Sequence, residues 1–249
     1  MWKSRLRLSL LLAAAVHARA STVIPTDVGR QVDASDLIFI GTVVGTEAVA
    51  VKDGSFAYTY VTFNIEETLK GSLDGGPLTL RVAGGKVGSE TFSIGGGPVF
   101  ETGGRHLLFV RGNDRSPVPL SGGPQGKLNF VRDPVTQEEL LADEGGRVID
   151  GLREKHWVRN GLRIDLGGQV VRPERVAEIV SQEGMTVVLD QPDPDARLVP
   201  ASEVIAELRT LIQSRSFAPE FKRTAVQSAS PANVPETDPV RATVRKEAQ

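Results

Sequence analysis

Ser35-Asp36-Leu37-Ile38-Phe39-Ile40-Gly41-Thr42-Val43-Val44-Gly45-Thr46-Glu47-Ala48-Val49-Ala50-Val51 is the stretch that decides the fold of this 249-residue chain. Its apolar side chains fall on successive residues, not on alternate ones. A strand wetted on one face alternates, so apolar residues on both parities predict a strand covered on both sides. Lys52-Asp53-Gly54-Ser55 follows as a turn, because Asp-Gly tolerates the positive φ of a tight reversal. Tyr58 to Thr68 then alternates, with Val61, Phe63 and Ile65 inward and Thr62, Asn64 and Glu66 outward. The reading is an antiparallel pair, Asp36–Val51 with Tyr58–Thr68, joined at Asp-Gly.

Three further short strands are predicted downstream. Leu78, Leu80 and Val82 alternate with Thr79 and Arg81; His106 to Arg111 carries Leu107, Leu108, Phe109 and Val110; Lys127 to Arg132 places Leu128 and Phe130 on one face. Five strands at meander spacing predict a mainly β fold, a small closed or partly open barrel of the OB type, since closure leaves no long edge to aggregate. Between the third and fourth strands, residues 84–104 hold eight glycines in twenty-one positions and read as a long mobile loop.

Beyond Asp133-Pro134 the chain turns polar, with short strands suggested at Arg147–Ile149 and Leu162–Leu166. Pro173 suits a first helical residue, and Val176, Ile179 and Val180 keep helical spacing up to Gly184. A second helix has Ser202 as its cap and Val204, Ile205, Leu208, Leu211 and Ile212 as one apolar stripe. Both are expected to pack on the barrel. Phe217 onward is rich in Pro, Ser, Ala, Thr and charge, the composition of a disordered tail.

The N-terminal residues read as an export signal. Lys3, Arg5 and Arg7 precede a short apolar run, Leu8 to Val16, and Ala18-Arg19-Ala20 is a small-x-small cleavage site. The run is well short of the ~20 residues a membrane-spanning helix needs, so no membrane span is expected. Cleavage after Ala20 leaves 229 residues beginning Ser21-Thr22-Val23-Ile24-Pro25, secreted or periplasmic, and moves the net charge from −2 to −6. The expected organisation is a signal peptide over 1–20, a barrel over 21–133, a mixed linker and helical extension over 134–216, and the tail over 217–249. A mildly acidic surface without a basic block argues against nucleic acid as a partner. The absence of cysteine removes disulfides, thiol catalysis and thiolate zinc sites, so the core must hold by packing.

No catalytic or cofactor motif stands out. Ser121-Gly122-Gly123-Pro124-Gln125-Gly126-Lys127 superficially suggests a phosphate loop, but its glycine spacing is short, Leu128 replaces the magnesium-holding hydroxyl, and a strand follows where a helix is required. His106 could act as a base for a hydrolase, yet no Gly-x-Ser-x-Gly elbow presents a nucleophile. With His17 lost in the signal, His106 and His156 cannot form a multi-histidine metal site, and no intrinsic metal or cofactor is expected. Asp190, Asp193 and Asp195 lie around Pro192 and Pro194, too stiff a segment to wrap calcium.

Ser21-Thr22-Val23-Ile24-Pro25, the Ser35-Asp36-Leu37-Ile38 strand start with Val44-Gly45-Thr46 beyond it, and the run from Tyr58-Thr59-Tyr60 to Leu69-Lys70-Gly71 resemble the N-terminal domain of the tissue inhibitors of metalloproteinases. Gly103-Gly104-Arg105-His106-Leu107-Leu108-Phe109 is similar to a barrel strand of netrin-like modules. The resemblance implies an OB-fold, netrin-like barrel without the family's cysteines, and an exported, non-enzymatic binding module. It implies inhibition of a zinc metalloprotease, with the free α-amino group and carbonyl of Ser21 on the protease zinc, Thr22 in the adjoining pocket, and Val23, Ile24 and Pro25 completing the contact. Two alternatives stand beside it: an envelope or extracellular structural protein that binds another exported protein or a polysaccharide, and a hydrolase using His106.

Overall fold

The computed structural model describes residues 27–73, 75–95, 97–133, 136–164, 170–171, 198–215 and 245–247. A short helix, α1 (Val28–Ala34), leads into the long strands β1 (Leu37–Ala50) and β2 (Ala57–Lys70), followed by β3 (Leu78–Ala83). A small hairpin, β4 (Gly85–Val87) and β5 (Glu90–Ser93), precedes β6 (Arg105–Val110) and β7 (Lys127–Arg132). Then come β8 (Glu139–Ala142), β9 (Arg147–Arg153), β10 (His156–Ile164), β11 (Val170–Val171), helix α2 (Ala201–Gln213) and β12 (Arg245–Glu247). The main sheet has nine strands in the order β11-β10-β9-β8-β7-β6-β1-β2-β3, each neighbouring pair antiparallel; β12, β5 and β4 form a second, three-stranded sheet.

The predicted pairing of β1 with β2 holds from Ala50↔Ala57 to Ile38↔Lys70, across the expected turn, where Gly54 has φ 69°. Both faces of β1 are covered at its start. Leu37, Phe39 and Val43 join Val61, Phe63, Leu78, Leu80, Val82, Leu108 and Val110 in one core. Ile38 and Ile40 join Leu107, Phe109, Leu128, Leu141, Ile149 and Trp157 in another, beneath α1 and α2. The apolar residues on both parities thus serve two cores, one on each side of a single strand.

The barrel expectation needs correction. Among the described strands the ladder stays open: β7 pairs onward with β8, and β3 has only β2 as a strand neighbour. The sheet nevertheless curls at the β3 end, and a loop fills the place of a closing strand. The Ala83 N–H donates to Pro117 O, Arg111 N–H to Pro119 O and Ser121 N–H to Phe109 O, so residues 117–121 touch both β3 and β6. Asn113 adds two bonds to the β3 edge, accepting from Arg81 N–H and donating to Thr79 O. Closure of five strands would leave no free side on β7; strands β8 to β10, which the sequence reading treated largely as linker, occupy that side.

Two further expectations change. Part of the glycine-rich 84–104 segment is ordered as the β4–β5 hairpin, because Phe92 is buried with Phe56, Tyr58 and Tyr60. Ser202 does not cap α2; the N-cap is Pro200, and no side chain supplies a capping bond. The stripe itself is as expected: Val204, Ile205, Leu208 and Ile212 are buried against the sheet, with Leu211 partly so. No helix among the described residues is long and apolar enough to cross a membrane. The expected signal, the 173–184 helix, the Asp190–Asp195 cluster and the tail apart from β12 lie outside the described residues.

Candidate functional site

Ser21, Thr22, Val23, Ile24 and Pro25, the residues singled out for partner contact, also lie outside the described residues, which begin at Asp27. What the structure gives is the element they lead into. Asp27 caps α1, its carboxylate accepting from Arg30 N–H at 3.0 Å. Burial raises this carboxyl, but the Arg30 and Gly29 N–H groups and the nearby Lys155 and His156 together hold it below the usual aspartate range. A helix of seven residues is far too short to persist alone, so tertiary contacts must hold it. Val28 and Val32 provide the apolar part, fully buried in the core beneath α2.

The polar part comes from four separate directions. Val28 N–H donates to Lys155 O at the β9–β10 turn. Gln31, itself buried, donates through Nε2 to Ser121 O at 2.8 Å and to Gln125 O at 3.0 Å. Lys70, at the end of β2, sends its ammonium into the carbonyls that α1 leaves unpaired at its C-terminus: Val32 O at 2.6 Å, Ser35 O at 2.8 Å and Asp33 O at 3.3 Å. Arg215, just past α2, donates through Nη1 to Gly29 O at 2.8 Å and pairs with the Asp33 carboxylate. Burial pushes the Lys70 ammonium down, opposed by Asp33 and Asp36 and reinforced by Arg215.

The residues that carried the resemblance have structural assignments here. Ser35 Oγ donates to Gln31 O at 2.7 Å, closing α1. Asp36 N–H donates to Val110 O and its carboxylate accepts from Gly112 N–H, seating the start of β1 on β6. Lys70 is the helix clamp. Gly71 follows at φ 90°, where a Cβ would lie 2.6 Å from Asp36 O, so the chain passes this point only as glycine.

His106 is buried in the mouth of the curled sheet. Its ring stands edge-on to Phe100 at 5.5 Å and to Phe63 at 6.5 Å. Nδ1 lies 2.9 Å from Asn129 Oδ1, and because the Asn129 amide nitrogen faces Asp143 O, the network assigns the ring proton to Nδ1. Nε2 is then a lone pair with no hydrogen-bond partner among the described residues. Burial, with help from the nearby Lys127 charge, pushes the imidazole down to about 3 against the Asn129 bond. Lys127 is spoken for, with Val99 O at 2.5 Å and Glu144 Oε1 at 2.7 Å, and the residues before it form a short turn into β7 and no phosphate cradle. His156 is exposed at the start of β10.

Two other polar places were not singled out from the sequence. Arg81 is buried, stacked 4.2 Å over the Tyr58 ring and held by Asp114, whose carbonyl accepts from Nη2 at 2.7 Å; neighbouring Tyr60 has its hydroxyl buried without a hydrogen-bond partner among the described residues. A cleft of about 350 Å³ opens between the end of β2 and the β2–β3 loop, lined by Asn64, Ile65, Thr68, Leu73 and Pro77. No group of three or more His, Asp or Glu is gathered for a metal among the described residues. Sequence reasoning missed α1 and its Arg215 contact. The signal for α1 was present in Asp27 followed by Val28 and Val32 at helical spacing; Arg215 had none. Comparison of the chain with protein-family models, curated proteins and solved structures finds no match.

Proposed function

We propose that this chain is an exported binding module that engages a zinc metalloprotease through its mature N-terminus, with the Ser21 amine and carbonyl on the metal and Thr22 in the adjoining pocket. The observation that carries the reading is α1. The segment proposed to make the contact is followed within two residues of Pro25 by a cap, a helix and four polar anchors. Ser21 is six residue steps from Asp27, so the amine reaches at most about 20 Å from a fixed point. Ordering five residues costs roughly 5–10 kcal/mol. An origin held rigidly confines that cost to the five and adds none for the residues behind them. An α-amino group of pKa near 7.7–8.0 is deprotonated at pH 7 for about 1 kcal/mol, so the metal chemistry is open to it.

A hydrolase using His106 is less well supported. A general base works best with a pKa near the operating pH, and this imidazole is held near 3, its ring packed edge-on against Phe100. The polysaccharide or structural-protein alternative has no comparable geometric support.

The test is a titration of two forms against a panel of zinc metalloproteases: one starting at Ser21, the other with a single alanine before it. The extra residue displaces the amine from the metal and leaves the folded body untouched. Inhibition by the first form alone is the expected result. Equal inhibition by both, or by neither at high micromolar concentration, rejects the proposal.

A further inference from the structure

The geometry points to Lys70 and Arg215 as positioning residues for the N-terminal segment, an electrostatic clamp that fixes where residues 21–26 leave the body. For protease binding this rests on the reading above; as a statement about the segment's origin it stands on α1 alone. Lys70 approaches from the end of β2 and Arg215 from beyond α2, residues far apart in sequence that close on the same seven-residue helix. Asp33 sits between them, its carbonyl accepting from Lys70 and its carboxylate from Arg215. Lys70 neutralises the negative end of the helix and satisfies the Val32, Asp33 and Ser35 carbonyls there, while Arg215 bonds the Gly29 carbonyl in the first turn and reaches the Asp33 carboxylate.

The contacts are specific in shape as well as charge. The space that a Cβ on Gly29 would fill is taken by the Arg215 guanidinium, with Nη2 only 2.0 Å from that position. The guanidinium therefore lies against Gly29 in the first turn of the helix, where any side chain would displace it. Lys70 ends β2, where it pairs with Ile38 of β1, so the clamp ties α1 directly to the body of the sheet. In a chain without cysteine, this is a cross-link that salt can weaken and a reductant cannot.

The experiment exploits the missing thiols. Cysteines placed at Thr26 and at exposed Val44 are the only two in the protein, so nitroxide labels attach nowhere else. Pulsed electron–electron distance measurement on the full chain is expected to give one narrow distribution. Lys70→Met and Arg215→Met should each broaden it and raise amide exchange in residues 28–34, and Arg215→Lys should recover most of the narrow form. Because Lys70→Met removes a partly buried contact, Gly29→Ala serves as a second route, displacing Arg215 and crowding the Asp27 cap at 2.9 Å while changing no charge. Against a protease inhibited by the Ser21 form, the Met variants should bind roughly tenfold more weakly, the effect of freeing about one residue. A distribution already broad in the parent, or unchanged in all three variants, overturns the inference. Narrowing that depends on the clamp, without inhibition of any protease, supports the clamp and rejects the inhibitor reading.

Discussion

Replacing His106 with glutamine tests the sheet mouth through its pH dependence. The imidazole titrates near 6.5 in an unfolded chain and near 3 here, held down by burial and the Lys127 charge. The folded state therefore binds this proton less well than the unfolded state. Above pH 6.5 both are neutral and the group adds no pH dependence. As the pH falls from 6.5 towards 3 the unfolded chain gains a proton that the folded one refuses, so stability drops by about 1.4 kcal/mol per unit. Between pH 6.5 and pH 4 the loss is about 3 kcal/mol from this one side chain, with the full shift reached near pH 3. Carboxylates titrate over the lower part of that range, so the quantity to measure is a difference. Urea unfolding of the parent and of His106→Gln from pH 7.5 to pH 4 should give curves whose separation changes by about 3 kcal/mol in favour of the variant as the pH falls. Parallel curves, or a folded-state His106 resonance that titrates near 6.5, would refute the burial and the packing of Phe100 over the ring.

Phe63 is fully buried and edge-on to both Phe39 and Phe100, so Phe63→Ala should cost about 3–5 kcal/mol in denaturant unfolding; under 1 kcal/mol would contradict the core assignment. Asp27→Ala should cost about 1 kcal/mol because it uncaps α1, whereas Ser202→Ala, a cap expected from sequence but unused in α2, should lie within about 0.5 kcal/mol of the parent. The Arg209 guanidinium grips the Glu67 carboxylate with bonds of 2.7 and 2.8 Å, yet both side chains are about two-fifths exposed, so a double-mutant cycle should return less than about 1 kcal/mol, shrinking further in 1 M salt.

Periodicity made the long strands legible and left their partners obscure. The alternation in Tyr58–Thr68 and the two-sided apolar run before it located β1 and β2 and their turn, because burial on a pleated strand repeats every second residue. The same pattern carries no information on whether a fifth strand returns to the third or continues outward. That choice was made by Leu140, Leu141, Val148 and Ile149, buried residues in a stretch whose glycines and charges read as linker. Helix α1 was missed although Asp27, Val28 and Val32 mark it, because two valines make a narrow apolar face and the contacts that hold it, from Lys70, Ser121, Lys155 and Arg215, lie outside any local window. For the candidate site, the residues quoted at Ser35-Asp36 and Lys70-Gly71 do stand at one place, the junction of α1, β1 and β2. Their spacing alone did not say that one side chain would reach across and hold the other segment.

With one strand serving as the wall between two cores, neither compartment can empty without breaching the other. Ile38 and Ile40 lean on the helices while Leu37 and Phe39 lean into the curled sheet, and a slip of β1 by one residue would exchange all four. Melting should accordingly be a single event. Trp157 reports from the helix-covered side and Tyr60 from beside the curl, and the two signals should trace one coincident transition. Such a molecule has no soft half to lose first: a change tolerated by one compartment must also suit its neighbour through the shared wall, which makes residues 37–40 the hardest to replace among the described residues.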